Sequence, residues 1–204
     1  MAYSSKDNPE KKNDLDLLGK SLRLACEKAG LSEGVSIVFG EGPAPCDIMI
    51  VGEAPGRDET KHGRPFIGRA GRFFISVLKE VFGRERDDFY ITNVVKVWPT
   101  IKKQRLKTRK PTKDEVAFFL PFLMEEIRII EPKAIVAAGK TALSSLAPDE
   151  DFKPGGWIKS DHGPAIMPVY HPAYLLRKQR SLKKNTVELK AALRKVRDSL
   201  SGQR

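Results

Sequence analysis

The sequence predicts a three-layer α/β/α sandwich with a central, mainly parallel sheet. Two observations carry this expectation. Short apolar runs, "DIMIVG" (47–52), "FYITNVV" (89–95), "KAIVAAG" (133–139) and "AIMPVYHP" (165–172), alternate with stretches of helical spacing. Within each run the apolar residues are nearly continuous rather than alternating with polar ones, the pattern of strands covered on both faces.

The elements follow in order. Residues 1–13 are polar and charged and are expected to form a disordered leader, with 14–200 forming a single domain. From Asp14, the residues Leu15, Leu18, Leu22, Ala25 and Ala29 share one helical face, and Gly30 provides the stop. The first strand enters "GEAPGRDETKHGRPFIGRAG" (52–71), a loop rich in glycine and arginine with the single aromatic residue Phe66. A helix is expected from about Ala70, with Phe73, Phe74, Val77, Leu78 and Val81 on its apolar side. The second strand leads through a basic loop, "IKKQRLKTRK" (101–110), to a helix opened by Pro111 and Thr112. The third leads into "KTALSSLA" and the fourth into "AYLLRKQ".

Charge narrows the choice of partner. The 204 residues carry a formal net charge of +11, which on charge alone suits equally a polyanionic partner, because clustered Lys and Arg bind phosphates with release of counterions, or a basic protein with a basic tail. No apolar run approaches the roughly 18 residues of a membrane span, and the start "MAYSSKDNPEKKNDLD" has no signal-peptide core. A cytoplasmic, DNA- or nucleoid-associated protein without a membrane partner is expected. Cys26 and Cys46 have unlike surroundings and form neither a CxxC pair nor a disulfide framework. His62, His162 and His171 are not spaced as ligands on one element, so no metal site is expected.

Ligands of open α/β sheets bind beyond the carboxyl ends of the strands. Glu53, Asn93 and His171 each stand at or just after the end of a different expected strand, and the Phe66 loop follows the first. Singly, these are a turn carboxylate, a strand-end cap and a packed histidine; together they argue for a site. A phosphate-binding loop does not explain it. "GEAPGRDE" matches neither G-x-G-x-x-G nor G-x-x-x-x-G-K-[ST], and Pro55 removes an amide. The nearest remnant, "IVAAGKTA", has Gly139-Lys140-Thr141 after a strand but Ala134 in place of the upstream glycine.

"GEAPG", "GRPFIGRAG", "TNVVK" and "HPAYLL", in this order and at these strand ends, resemble the motifs of the family-four uracil-DNA glycosylases of the uracil-DNA glycosylase superfamily, over about Ile48 to Leu176. The resemblance implies a parallel sheet between helices and a monomeric enzyme that hydrolyses the N-glycosidic bond of uracil in DNA. The alternative is a DNA-binding or lesion-sensing protein that keeps the pocket but turns over poorly. By the resemblance, Glu53 orients or deprotonates the attacking water, and Phe66 stacks on the flipped-out base. Asn93 reads its Watson–Crick edge, and His171 donates to uracil O2. Backbone amides near Gly52 and Ala54 add donors, while Arg64, Arg69, Lys96 and Arg177 hold DNA phosphates. Base flipping calls for a wedge in the vacated stack; Leu175 or Leu176 is the candidate, or else a core leucine.

Family-four enzymes usually hold an iron–sulfur cluster on four cysteines. Here the third of those positions is Val97, the fourth falls at about Phe119, and near the first pair only Cys26 is present. No cofactor is expected.

Overall fold

The computed structural model describes residues 8–31, 36–102, 106–159 and 163–201. Four parallel strands form the central sheet: β1 (Ile48–Gly52), β2 (Tyr90–Asn93), β5 (Ala134–Ala138) and β6 (Ala165–Val169), in the order β2-β1-β5-β6. The first crossover turns to one side of β1 and the later ones to the other, so the switch point lies beside β1. Between β2 and β5 a small antiparallel hairpin, β3 (Thr100–Lys102) and β4 (Leu106–Thr108), replaces the expected basic loop.

The continuous apolar runs have the physical cause expected of them, since alternate residues of each strand enter different cores. Met49, Val51, Ile135 and Ala137 pack with α1 (Pro9–Lys28), α4 (Lys113–Ile130) and α5 (Lys140–Leu146). Ile48, Ile50, Val136 and Met167 pack on the other side with α3 (Arg69–Phe82), α6 (Pro172–Arg177) and α7 (Leu182–Ser201). The three layers are those expected. Thr112 caps α4, accepting from the Glu115 amide at 3.1 Å while Glu115 accepts from the Thr112 amide at 2.7 Å.

The first helix begins earlier than expected. Pro9 begins α1, with Asn8 accepting from the Glu10 amide at 2.9 Å, so residues 9–13 are helical; residues 1–7 lie outside the described residues. Proline at the first helical position and an asparagine cap outweigh the polarity of the segment. A six-residue helix, α2 (Arg57–His62), also sits within the glycine-rich loop.

Candidate active site

Register places Gly52 opposite Asn93 on neighbouring strands. A Cβ at Gly52 would overlap Asn93 Oδ1 and lie 2.7 Å from the Phe66 ring, so only glycine lets an amide and an aromatic ring meet there. Phe66 is buried and has a left-handed backbone, φ 56°, a conformation that costs a non-glycine residue about 1 kcal/mol or more. Its loop is held from two sides. Glu59 Oε1 accepts from the Gly68 amide at 2.6 Å and Oε2 from the Gly56 amide at 3.1 Å, tying the two ends of the loop together. Arg86 donates to the Pro65 carbonyl and pairs with Glu41, which also receives Arg64 in a two-pronged contact at 2.9 and 3.0 Å.

Asn93 is only 2% exposed, yet its side-chain amide engages no partner among the described residues. Among the described residues no buried side-chain nitrogen or oxygen lacks a partner, so the unpaired Asn93 amide is not sealed in the core. It opens onto a cleft of about 810 Å³ that Glu53, Phe66 and His171 also line. Thr141 Oγ1, in the first turn of α5, donates to Glu53 Oε2.

His171 precedes α6, and its Nδ1 accepts from the Ala173 amide at 3.2 Å. That bond assigns the proton of the neutral ring to Nε2. Burial pushes the imidazole below the usual histidine range, with the negative charge of Glu53 opposing the shift and Arg177 adding to it. Around neutral pH the ring is therefore a neutral Nε2–H donor.

Cations surround the mouth of the cleft. Arg57, Arg69, Lys110, Lys140 and Arg177 line it, a distribution suited to a phosphate backbone. Gly52 is buried beneath the site, and Ala54 lines the cleft with Glu53.

Two expected contacts need correction, and a third residue lies apart from the cleft. Lys96 does not face DNA: it is fully buried, donates to Thr92 Oγ1 at 2.6 Å and pairs with the equally buried Glu126. Leu175 is fully buried in the core that includes α3 and α7 residues, so it is not the wedge, whereas Leu176 is partly exposed. Arg64 is about half exposed but lies outside the cleft, engaged with Glu41. Glu59 and Thr141 escaped the sequence reading. Glu59 follows "GEAPG" closely enough to suggest a role there, whereas nothing local marks the hydroxyl that reaches Glu53.

The residues do not fit a cysteine-held cluster. The chain has two cysteines, and Cys26, Val97 and Phe119 belong to one buried apolar core. Burial raises the Cys26 thiol above its usual range, which disfavours the thiolate a metal needs. Among the described residues no group of three or more His, Cys, Asp or Glu side chains is placed to hold a metal ion.

The chain is similar to known proteins over most of its length. The family model described as "Uracil DNA glycosylase superfamily" matches residues 39–197. A type-4 uracil-DNA glycosylase of Thermotoga maritima is 41% identical over 149 residues, covering 70% of this chain and 72% of the relative. The type-4 enzyme of Sulfurisphaera tokodaii is 37% identical over 164 residues, 75% of this chain and 72% of the relative. That of Saccharolobus solfataricus is 31% identical over 202 residues, covering 94% of this chain and 88% of the relative. With a family match over most of its length, the chain belongs to the uracil DNA glycosylase superfamily.

Proposed function

We propose that the protein is a uracil-DNA glycosylase that flips uracil out of DNA and hydrolyses its N-glycosidic bond, the opening step of base excision repair. The observation that carries the reading is Asn93, a nearly buried side-chain amide without a protein partner, facing the same cleft as Phe66, Glu53 and His171. An amide can accept from uracil N3–H through Oδ1 and donate to O4 through Nδ2, satisfying both of its groups. Phe66 stacks on the ring. As the C1′–N1 bond breaks, its electron pair passes to uracil and is spread over N1 and O2, where His171 Nε2–H donates a hydrogen bond. Glu53 orients a water whose oxygen bonds to C1′, takes its proton and offsets the positive charge developing on the sugar. Backbone amides around Gly52 and Ala54 add donors at the base edge.

Arg69 and Arg177 meet DNA phosphates beside the cleft, and Leu176 is the remaining wedge candidate. Glu53, Phe66, Asn93 and His171 all come from one chain, so the reading needs no second copy and takes the enzyme to be a monomer. Two free, buried cysteines suit a reducing cytoplasm, where the enzyme works on DNA without a cofactor and away from membranes. Residues 14–200 act as one glycosylase domain.

The test is release of free uracil from an oligonucleotide carrying one uracil, against a matched strand carrying thymine. Uracil is released from the first and no base from the second. Glu53→Gln keeps the size and removes the charge; it binds uracil-DNA but turns over slower by roughly two to four decades, the scale for a positioned base and counter-charge. Binding of uracil-DNA by the native protein without release of the base would instead support a lesion-sensing binder.

A further inference from the structure

The segment Gly139-Lys140-Thr141, which resembles a phosphate loop but lacks its upstream glycine, has a different use in the structure. Gly139 ends β5 with φ 102°, a conformation that favours glycine, and its amide donates to the Val169 carbonyl at 2.9 Å. A Cβ at Gly139 would lie 3.1 Å from His171 Cβ, so this turn packs tightly against the histidine. Two residues later, the Thr141 hydroxyl donates to Glu53 Oε2, joining the turn after β5 to the turn after β1. The turn thus touches both Glu53 and His171, one by a hydrogen bond and the other by packing.

We propose that Thr141 is a positioning residue for Glu53. A glutamate just beyond a strand end has free χ angles and samples several rotamers. The Thr141 hydroxyl spends its one proton on Oε2 and so fixes the plane of the carboxylate. Among the described residues no other side chain donates to Glu53, which leaves Oε1 for the attacking water. Sub-ångström placement of a reacting group is worth about 10- to 100-fold in rate. The inference rests on the assignment of Glu53 as the catalytic carboxylate.

The experiment measures steady-state uracil release by Thr141→Val, Thr141→Ser, Glu53→Gln and the Thr141→Val/Glu53→Gln double variant, with thermal melting alongside. Thr141→Val matches the native shape but has no donor. It lowers kcat about 10- to 100-fold while KM for uracil-DNA stays within about twofold. Thr141→Ser, which keeps the hydroxyl, recovers most of the rate. In the Glu53→Gln background Thr141→Val causes no further loss, because the charge it positions is gone. A wild-type kcat for Thr141→Val overturns the proposal, as does an equal loss in both backgrounds or no recovery with serine. Should Thr141→Val melt early, the Ser variant and the double-variant comparison, made below the melting transition, still decide. If Glu53→Gln itself keeps the native rate, the Glu53 assignment falls and this proposal with it; if only Thr141→Val does, the proposal falls and the assignment stands.

Discussion

Asn93 lines the cleft with its amide unpaired, whereas Lys96, three residues further along, is sealed in the core against Glu126. The carboxylate of Glu126 accepts from the Gly40 amide at 3.2 Å, the Tyr90 hydroxyl at 3.0 Å and Thr92 Oγ1 at 3.1 Å, and it pairs with the Lys96 ammonium. Each polar group of the cluster has a partner, and the Lys96 ammonium also sits 5.7 Å from the centre of the Phe39 ring. Burial pulls the Lys96 ammonium below its usual range, and Glu126 pulls it back. The two clusters have similar chemistry and nearly the same address, but one is complete without a ligand and the other is not. A polar group satisfied by its own protein serves the fold, and one left open at a cleft is available for recognition.

Removing a partner from the closed cluster gives the largest effect on stability. Glu126→Ala strands a buried ammonium and lowers unfolding free energy by about 3–5 kcal/mol, read by urea denaturation. Replacing both partners by apolar residues, Lys96→Met with Glu126→Leu, recovers much of that loss. Uracil release per folded molecule is retained in both. Native stability for Glu126→Ala would break the contrast, because the network would then not be closed.

The two leucines of "YLLR" sharpen the same contrast on a smaller scale. Leu175→Ala opens a cavity in the core and costs about 2–5 kcal/mol of stability, seen as a lowered melting temperature. Leu176→Ala leaves melting nearly unchanged and reduces uracil release from duplex DNA more than from single strands, where no stack needs filling. Equal losses on both substrates would remove Leu176 as a wedge.

The particular residues show what was legible beforehand. The sheet was visible because strands buried on both faces must be apolar on consecutive residues, as Ile48, Met49, Ile50 and Val51 are. Glu53, Asn93 and His171 were visible because a parallel sheet gathers its strand ends at one edge. Lys96 misled because a lysine beside the site looks like a phosphate ligand, and its partner Glu126 lies 30 residues away on α4. The choice between Leu175 and Leu176 belongs to tertiary packing, since neighbouring leucines at a helix start are equivalent to any periodicity. The longest element on its side of the sheet, α7, was overlooked although Leu189, Leu193, Val196 and Leu200 mark its buried face. Glu59 and Thr141 act through hydrogen bonds to distant backbone or side-chain atoms, a kind of support without a local pattern.

The central claim is that Asn93 reads the edge of the base, and changing one atom of it tests that directly. Uracil presents an N3–H donor and an O4 acceptor, whereas cytosine presents an N3 acceptor and an amino donor. Asn93→Asp keeps the shape but removes the donor to O4; a carboxylate accepts from the cytosine amino group, and a proton shared with N3 completes the pair. A mismatch of buried donors and acceptors is worth about 1–3 kcal/mol per unsatisfied group, enough to invert a preference. The measurement is base release from matched oligonucleotides carrying one uracil or one cytosine. The account predicts that Asn93→Asp loses most uracil release and gains detectable cytosine release, whereas a folded variant that removes uracil at the native rate and leaves cytosine untouched would contradict it.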